Sequence, residues 1–294
     1  MLEQAIHFKE ESDALYNLLI KADNNSFKLN TQFKSWTIND VLYHLHVWNI
    51  AALLSLKNEN EFKEFMQNFI EAIKSGNSAR EYEKKLSNNT EGLDLLYLWK
   101  ETYENVSDEF VQSDPKKRVK WAGPDMSVRS SITARHMETW AHGQEIFDQL
   151  GFERIDTDRI KNIVVIGVNT FGWTFINRNL TVPEKMPKLS LLSPSNKLWE
   201  WNEDNEENVI SGSATEFGQV VTQVRNIDDT SLEVTGKIAN EWMSIAQCFA
   251  GPPEDAPDKE TRFTRKIYME KLLSIAKGVS IALIQREETV SVIE

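Results

Sequence analysis

A chain of 294 residues is long enough for one large or two medium domains with a sizeable core. Its formal net charge of -12 excludes the basic surface that a nucleic-acid partner needs, and equally disfavours an anionic membrane. The lone cysteine, Cys248, permits no internal disulfide, which fits a reducing, cytoplasmic setting.

The N-terminus, Met1-Leu2-Glu3-Gln4, lacks the basic-then-apolar layout of a signal peptide. Residues 2–22 predict an amphipathic helix with Ala5, Phe8, Leu15, Leu18 and Leu19 on its apolar side. A polar loop over 23–36 follows, with Phe33 and Trp36 expected to anchor it on the core. Thr37 and Asp40 form a capping box that opens a second helix, about 38–56. The charged stretch 60–86 reads as helical and peripheral, and a third core helix runs from Asn89-Thr90 to about Gln112. The loop 114–124 is basic in an acidic protein; it is either a solvated turn or a rim that attracts an anionic substrate. A long helix then spans about 127–150, with Gly151 as its C-terminal cap. Another begins at Asp156-Thr157-Asp158 and reaches about Asn179. It contains the most apolar run of the chain, 163–176, which is short for a membrane span and is expected to be a buried helix.

After Pro183 the pattern changes to a mixed α/β module. Residues 188–192 and 198–201 predict two strands, Val209-Ile210-Ser211 a third and 231–234 a fourth. Ser213 and Glu216 open a helix to about Val224, and 240–249 reads as one more, ended by Gly251-Pro252-Pro253. A charged linker leads to a last helical segment, about 263–285, a plausible dimer element.

Chemistry concentrates in two places. Glu138 and His142 stand four apart, so on a helix they share one face, one turn apart; His136 points elsewhere. A carboxylate and an imidazole so placed can share a divalent ion, and His44 in the second helix offers a third ligand. His46, two residues on, faces away from His44 and is expected to be a packed or surface histidine. The constellation His44, Glu138 and His142 suits zinc first, and also nickel, iron or manganese, with a position left open for chemistry. Trp140, Trp173 and Trp199 are simplest as core residues, and Cys248 as an inert packed thiol.

The pattern Trp36-Thr37-x-x-Asp40-x-x-x-His44-Leu45, with a distant Met137-Glu138-x-x-x-His142-Gly143, resembles the DinB-like superfamily. It is most similar to the branch of mycothiol-dependent maleylpyruvate isomerase and related metal-binding proteins, over about residues 5–253. The resemblance implies an α plus α/β fold: a DinB-like four-helix bundle over 1–182 and a smaller sterol-carrier-like α/β domain over 183–253, with 254–294 as a C-terminal helical extension. It also implies a divalent metal on the same three residues, and an arginine from the small domain in the active site. Arg225 falls in the comparable place, although an arginine paired with a carboxylate in the domain interface accounts for it too. Glu145 occupies the position of an acidic residue that would fix His142. The activity implied is a thiol-dependent isomerase or S-transferase acting on a small molecule with a low-molecular-weight thiol. The alternatives are a metal-dependent hydrolase and a non-catalytic small-molecule-binding module.

Overall fold

The structure, a computed structural model, describes residues 1–265. Most of the segment expected to be helical over 263–285, and with it the proposed dimer element, lies outside the described residues.

Helix α1 (Glu3–Leu19) is followed by a short 3₁₀ turn (Asn24–Lys28) and then α2 (Ile38–Lys57). The capping box is present: the Thr37 side chain accepts from Asp40 N, and the Asp40 carboxylate accepts from Thr37 N at 2.9 Å. Helices α3 (Glu59–Lys74) and α4 (Ala79–Leu86) pack on α2 and on each other. Then come α5 (Gly92–Val111), a small ribbon of β1 (Arg118–Val119) and β2 (Met126–Ser127), and α6 (Val128–Leu150). Gly151 ends α6 in the left-handed region at φ 74°, which a glycine adopts without a Cβ penalty. Helices α1, α2, α5 and α6 form a closed four-helix bundle, each packing on two others. Phe8, Phe27, Trp99, Tyr103 and Phe110 fill its interior.

A single helix is expected from Asp156 to Asn179, but the chain forms a 3₁₀ turn (Asp158–Ile160), α7 (Lys161–Asn169) and α8 (Phe171–Asn177). The break falls at Thr170, whose hydroxyl bonds back to the Ile166 carbonyl at 2.8 Å. Gly167 in α7 lets that helix lie close to α9 (Ala214–Val221): a Cβ at Gly167 would stand 2.9 Å from the Val221 side chain.

The second module is a four-stranded sheet of β3 (Lys188–Leu192), β4 (Leu198–Trp201), β5 (Val209–Ser213) and β6 (Glu233–Thr235), in the order β4-β3-β5-β6. β3 runs antiparallel to β4 and parallel to β5, and β6 is antiparallel to β5. The α9 helix supplies the crossover between β5 and β6 and packs on β3, β5 and α7. Helix α10 (Lys237–Ile245) packs on β6 and α8. The expected fold class, α plus α/β, is the one observed. By packing, however, α7 and α8 belong to the second core with the sheet, not to the bundle, so the two cores meet near residue 160 rather than at 182.

Helix α6 joins the two cores. Eighteen of its 23 residues are buried. Val128, Ile132, Ile146 and Leu150 face the bundle, while Met137, Trp140 and Ala141 face the second core. Among the described residues no helix is long and apolar enough to cross a membrane.

Candidate metal centre

His44 lies two turns into α2, and Glu138 and His142 lie one turn apart in the middle of α6. The contact between these helices brings the three together across the bundle. His44 Nε2 stands 3.4 Å from Glu138 Oε2, and His142 Nε2 stands 3.5 Å from the same oxygen. One ligand atom from each residue lies within 4.8 Å of the others. Donors about 2.1 Å from a tetrahedral ion are separated by roughly 3.4 Å, so these spacings fit a cation between them.

The outer nitrogens of both rings are already held. His44 Nδ1 is 3.0 Å from Glu83 Oε1, and His142 Nδ1 is 3.0 Å from Glu145 Oε2. A carboxylate on Nδ1 fixes the tautomer that leaves Nε2 free as a ligand and makes it more basic. Both Nε2 atoms therefore face inward by design of their neighbours. Glu145 takes the position expected for it. Glu83 is the residue that sequence reasoning missed: it lies in α4, in a stretch read as peripheral, yet it is buried and also accepts from Trp48 Nε1 at 2.9 Å. Its placement is set locally by a second capping box, Ser78 with Glu81, that starts α4. Nothing in the charged run 60–86 distinguishes Glu83 from its neighbours before the chain is folded.

The carboxylates around the two rings favour positive charge there. Burial opposes protonation of His142, but Glu145 and Glu138 outweigh it and push its pKa up to about 10. His44 is raised likewise, with burial opposing and Glu83 and Glu138 prevailing. Burial works against ionising Glu138, yet His142, His44 and Arg135 hold its carboxyl well below the usual range. Three carboxylates thus surround two imidazoles in a buried site. A divalent ion supplies the positive charge that the rings otherwise take from protons, and the donor set of two imidazoles and one carboxylate is one it favours.

Aromatic rings close one side. The turn Thr31–Trp36 is pinned by Thr31 N to Trp36 O at 2.7 Å, with Lys34 and Ser35 both in the left-handed region (φ 47° and 56°). Trp36 stacks on His142 at 5.7 Å and meets His44 edge-on at 5.5 Å; Phe33 meets His142 edge-on at 5.3 Å. Trp36 does pack on the bundle core as expected, but both rings also cover the imidazoles.

A cavity of about 320 Å³ opens from the site, with Phe33 and Trp36 among its lining residues. Its walls include Lys34, Glu145, Gln223, Glu254 and Arg262. The segment after residue 250 straps across it. Glu254 pairs with Lys34 at 2.8 Å, and Gln32 and Phe263 exchange two hydrogen bonds of 2.8 and 2.7 Å.

Arg225, the arginine expected in the active site, does not line this cavity. Its Nη1 and Nη2 each donate to Asp148 at 2.7 Å, a bidentate pair between α6 and the small module. The arginine that reaches the site is Arg262. Its Nη1 donates to the Gln223 carbonyl at 2.8 Å and lies 3.8 Å from Glu145, and its guanidinium sits over Phe33.

The remaining histidines sit elsewhere. His46 is buried against α5, 2.9 Å from the Thr102 hydroxyl, and burial pushes its pKa down to about 4. His136 packs on the opposite face of α6, 3.8 Å from Glu11. In the basic loop Lys117 donates to the Leu56 carbonyl of α2, Arg118 to the Asp125 carbonyl, and Lys120 pairs with Asp125.

The Nδ1 partners give a direct test. Glu83→Ala removes the acceptor that orients His44 while leaving all three ligands, so metal affinity should fall about 10- to 100-fold. Competition titration against a chromophoric chelator measures it; an unchanged affinity would mean that Glu83 does not orient the ligand.

Fold and site together define a helical-bundle protein with a His-Glu-His cluster between bundle and α/β module, whose donor atoms are close enough together to share one metal ion. The chain belongs to the family of the mycothiol maleylpyruvate isomerase N-terminal domain, whose model matches residues 8–147. That span contains His44, Glu83, Glu138, His142 and Glu145. An uncharacterised Mycobacterium tuberculosis protein, present in two strains, is 33% identical over 245 residues, covering 83% of this chain and 94% of that protein. The crystal structures of mycothiol-dependent maleylpyruvate isomerase and of its H52A mutant each align with a TM-score of 0.47 and 16% identity, over 74% of this chain and 87% of theirs.

Proposed function

We propose that the protein is a metal-dependent enzyme that joins a low-molecular-weight thiol to an electrophilic small molecule, as an isomerase or S-transferase. Zinc is the first choice of metal. The observation that carries this reading is the pair of inward-facing Nε2 atoms, each backed by a buried carboxylate, around the Glu138 oxygen at the floor of a cavity. Membership of a family named for a thiol-dependent isomerase supports the choice of chemistry.

His44, Glu138 and His142 would hold the ion. When bound, the ion lowers the pKa of a coordinated thiol, ordinarily about 8.5, so that thiolate forms at neutral pH. The chain's own residues do the rest. Glu83 and Glu145 engage the Nδ1 side of the two rings, which fixes their orientation and turns Nε2 toward the ion. Trp36 and Phe33 exclude water from one flank. Arg262, on the cavity wall, is placed to meet a carboxylate on the electrophile.

Thermal shift of metal-loaded protein against a panel of physiological thiols tests this. One thiol should raise Tm in the wild type and not in His142→Ala, since a ligand of the folded state must stabilise it. If no thiol shifts Tm, and the loaded protein cleaves esters or amides with water alone, the thiol reading fails and a hydrolase replaces it.

A further inference from the structure

A second cavity lies beside the first. It has a volume of about 480 Å³ and runs between α6, α7 and the β1–β2 ribbon. Its character differs from the metal pocket. Met126, Met137, Val165, Ile166, Trp173 and Phe249 give it an apolar wall. Two arginines also line it: Arg129 is exposed, and Arg135 is buried, its Nε donating to Asn49 at 3.1 Å and its Nη2 without a hydrogen-bond partner among the described residues. Trp173, expected in the core, is only half-buried because it faces this space.

The two cavities share a wall. Met137, Glu138, Phe249 and Ala250 line both. Glu138 is thus a metal-ligand candidate on one side and a wall residue of the apolar cavity on the other. A molecule whose reacting head reaches the ion has an apolar space beside it, next to the ligand it approaches. A small dicarboxylate held at the ion would leave the apolar part of that space unfilled.

We infer that the apolar cavity receives the body of the substrate: the electrophile is an extended, apolar-bodied molecule with its reactive head at the metal, not a compact polyanion. The inference rests on the metal-dependent reading above and names the substrate class for that site. Met137 suits the junction, because an unbranched thioether side chain adapts its shape to what passes it.

The test uses metal-loaded protein and a series of straight-chain hydroxamic acids, from aceto- through hexano- and octano- to decanohydroxamate, measured by calorimetry. The hydroxamate head chelates the ion and the chain probes the cavity. Affinity should rise by up to about fourfold for each methylene buried. Ala134→Trp, which fills the cavity from α6, should flatten the series while leaving metal content and acetohydroxamate affinity unchanged. Ile166→Trp fills it from α7 and should do the same, which guards against one variant misfolding. A flat series in the wild type, with acetohydroxamate still bound, overturns the inference and leaves the metal centre standing. A rising series unaltered by either filling variant also overturns it. Failure of acetohydroxamate to bind a protein that takes up no metal overturns both readings.

Discussion

His142→Ala should lose its divalent ion. Elemental analysis of purified protein should give about one ion per chain in the wild type and background levels in the variant. The geometry explains why the effect is large. His142 supplies one of three donors, and it is the ring on which Trp36 stacks and to which Glu145 is bonded. Its removal leaves an imidazole and a carboxylate, two donors where a catalytic centre uses three. It also leaves the buried Glu145 carboxylate without the ring that satisfies it. The same change should remove the stabilisation that the ion gives the folded state, about 4 kcal/mol at a free metal concentration a thousand times Kd. A chelator should therefore lower Tm in the wild type and not in the variant. Affinity should also rise with pH. The ion-free His142 ring holds its proton up to about 10, so metal uptake must release it. Retention of a full ion by a folded His142→Ala protein would show that the cation sits elsewhere.

The second large effect is expected far from that centre. Glu11, buried in α1, accepts from Arg154 and from Arg159, the latter at 2.7 Å, and lies 3.8 Å from His136. Arg154 also donates to the Trp140 carbonyl at 2.6 Å, so this cluster ties the bundle to the chain leaving α6. Arg154 and Arg159 are themselves only 4% and 11% exposed. Glu11→Gln would leave the buried Arg159 without its carboxylate and Arg154 with Asp156 alone, at 3.4 Å, at a cost of about 3 kcal/mol. Chemical denaturation at neutral pH measures it, and a loss under 1 kcal/mol would mean that the arginines repair themselves with water.

The same residue shapes the acid response. Burial opposes ionisation of Glu11, but Arg154, His136 and Arg159 hold its pKa far below the ordinary 4.5. A depressed carboxyl pKa stabilises the fold above about 4.5, and that contribution is lost as pH falls further, because only the unfolded chain takes up the proton. His136 acts in the same direction at higher pH. Burial lowers its pKa below 6.5 despite the opposing pull of Glu11, so below that pH the unfolded state again binds more protons. In Glu11→Gln the loss of stability below about 4.5 should be shallower than in the wild type.

Apart from the grouping of His44 with Glu138 and His142, what could be read before folding was local. The capping pair Thr37 and Asp40 marks where α2 starts, and Gly151 marks where α6 stops. The spacing of Glu138 and His142 places two donors on one helical face because a helix repeats every 3.6 residues. The strands at 188–192 and 198–201 appear where alternation and turn residues put them. Each of these signals depends on residues within a turn or two of one another.

The tertiary structure decided what lies between distant segments. Glu83 meets His44 across 39 positions, through a short helix whose composition does not distinguish it from a solvated one. Arg225 is held by both oxygens of Asp148, 77 positions away, while Arg262 lines the cavity. The apolar run 163–176 became two helices, and part of it became the wall of a cavity rather than core, because Thr170 breaks the helix and Gly167 sets how closely α9 approaches. Short-range sterics and hydrogen bonds write themselves into neighbouring residues. Which carboxylate backs an imidazole, and which arginine lines the cavity, depends on packing between elements and exists only once the chain has closed on itself.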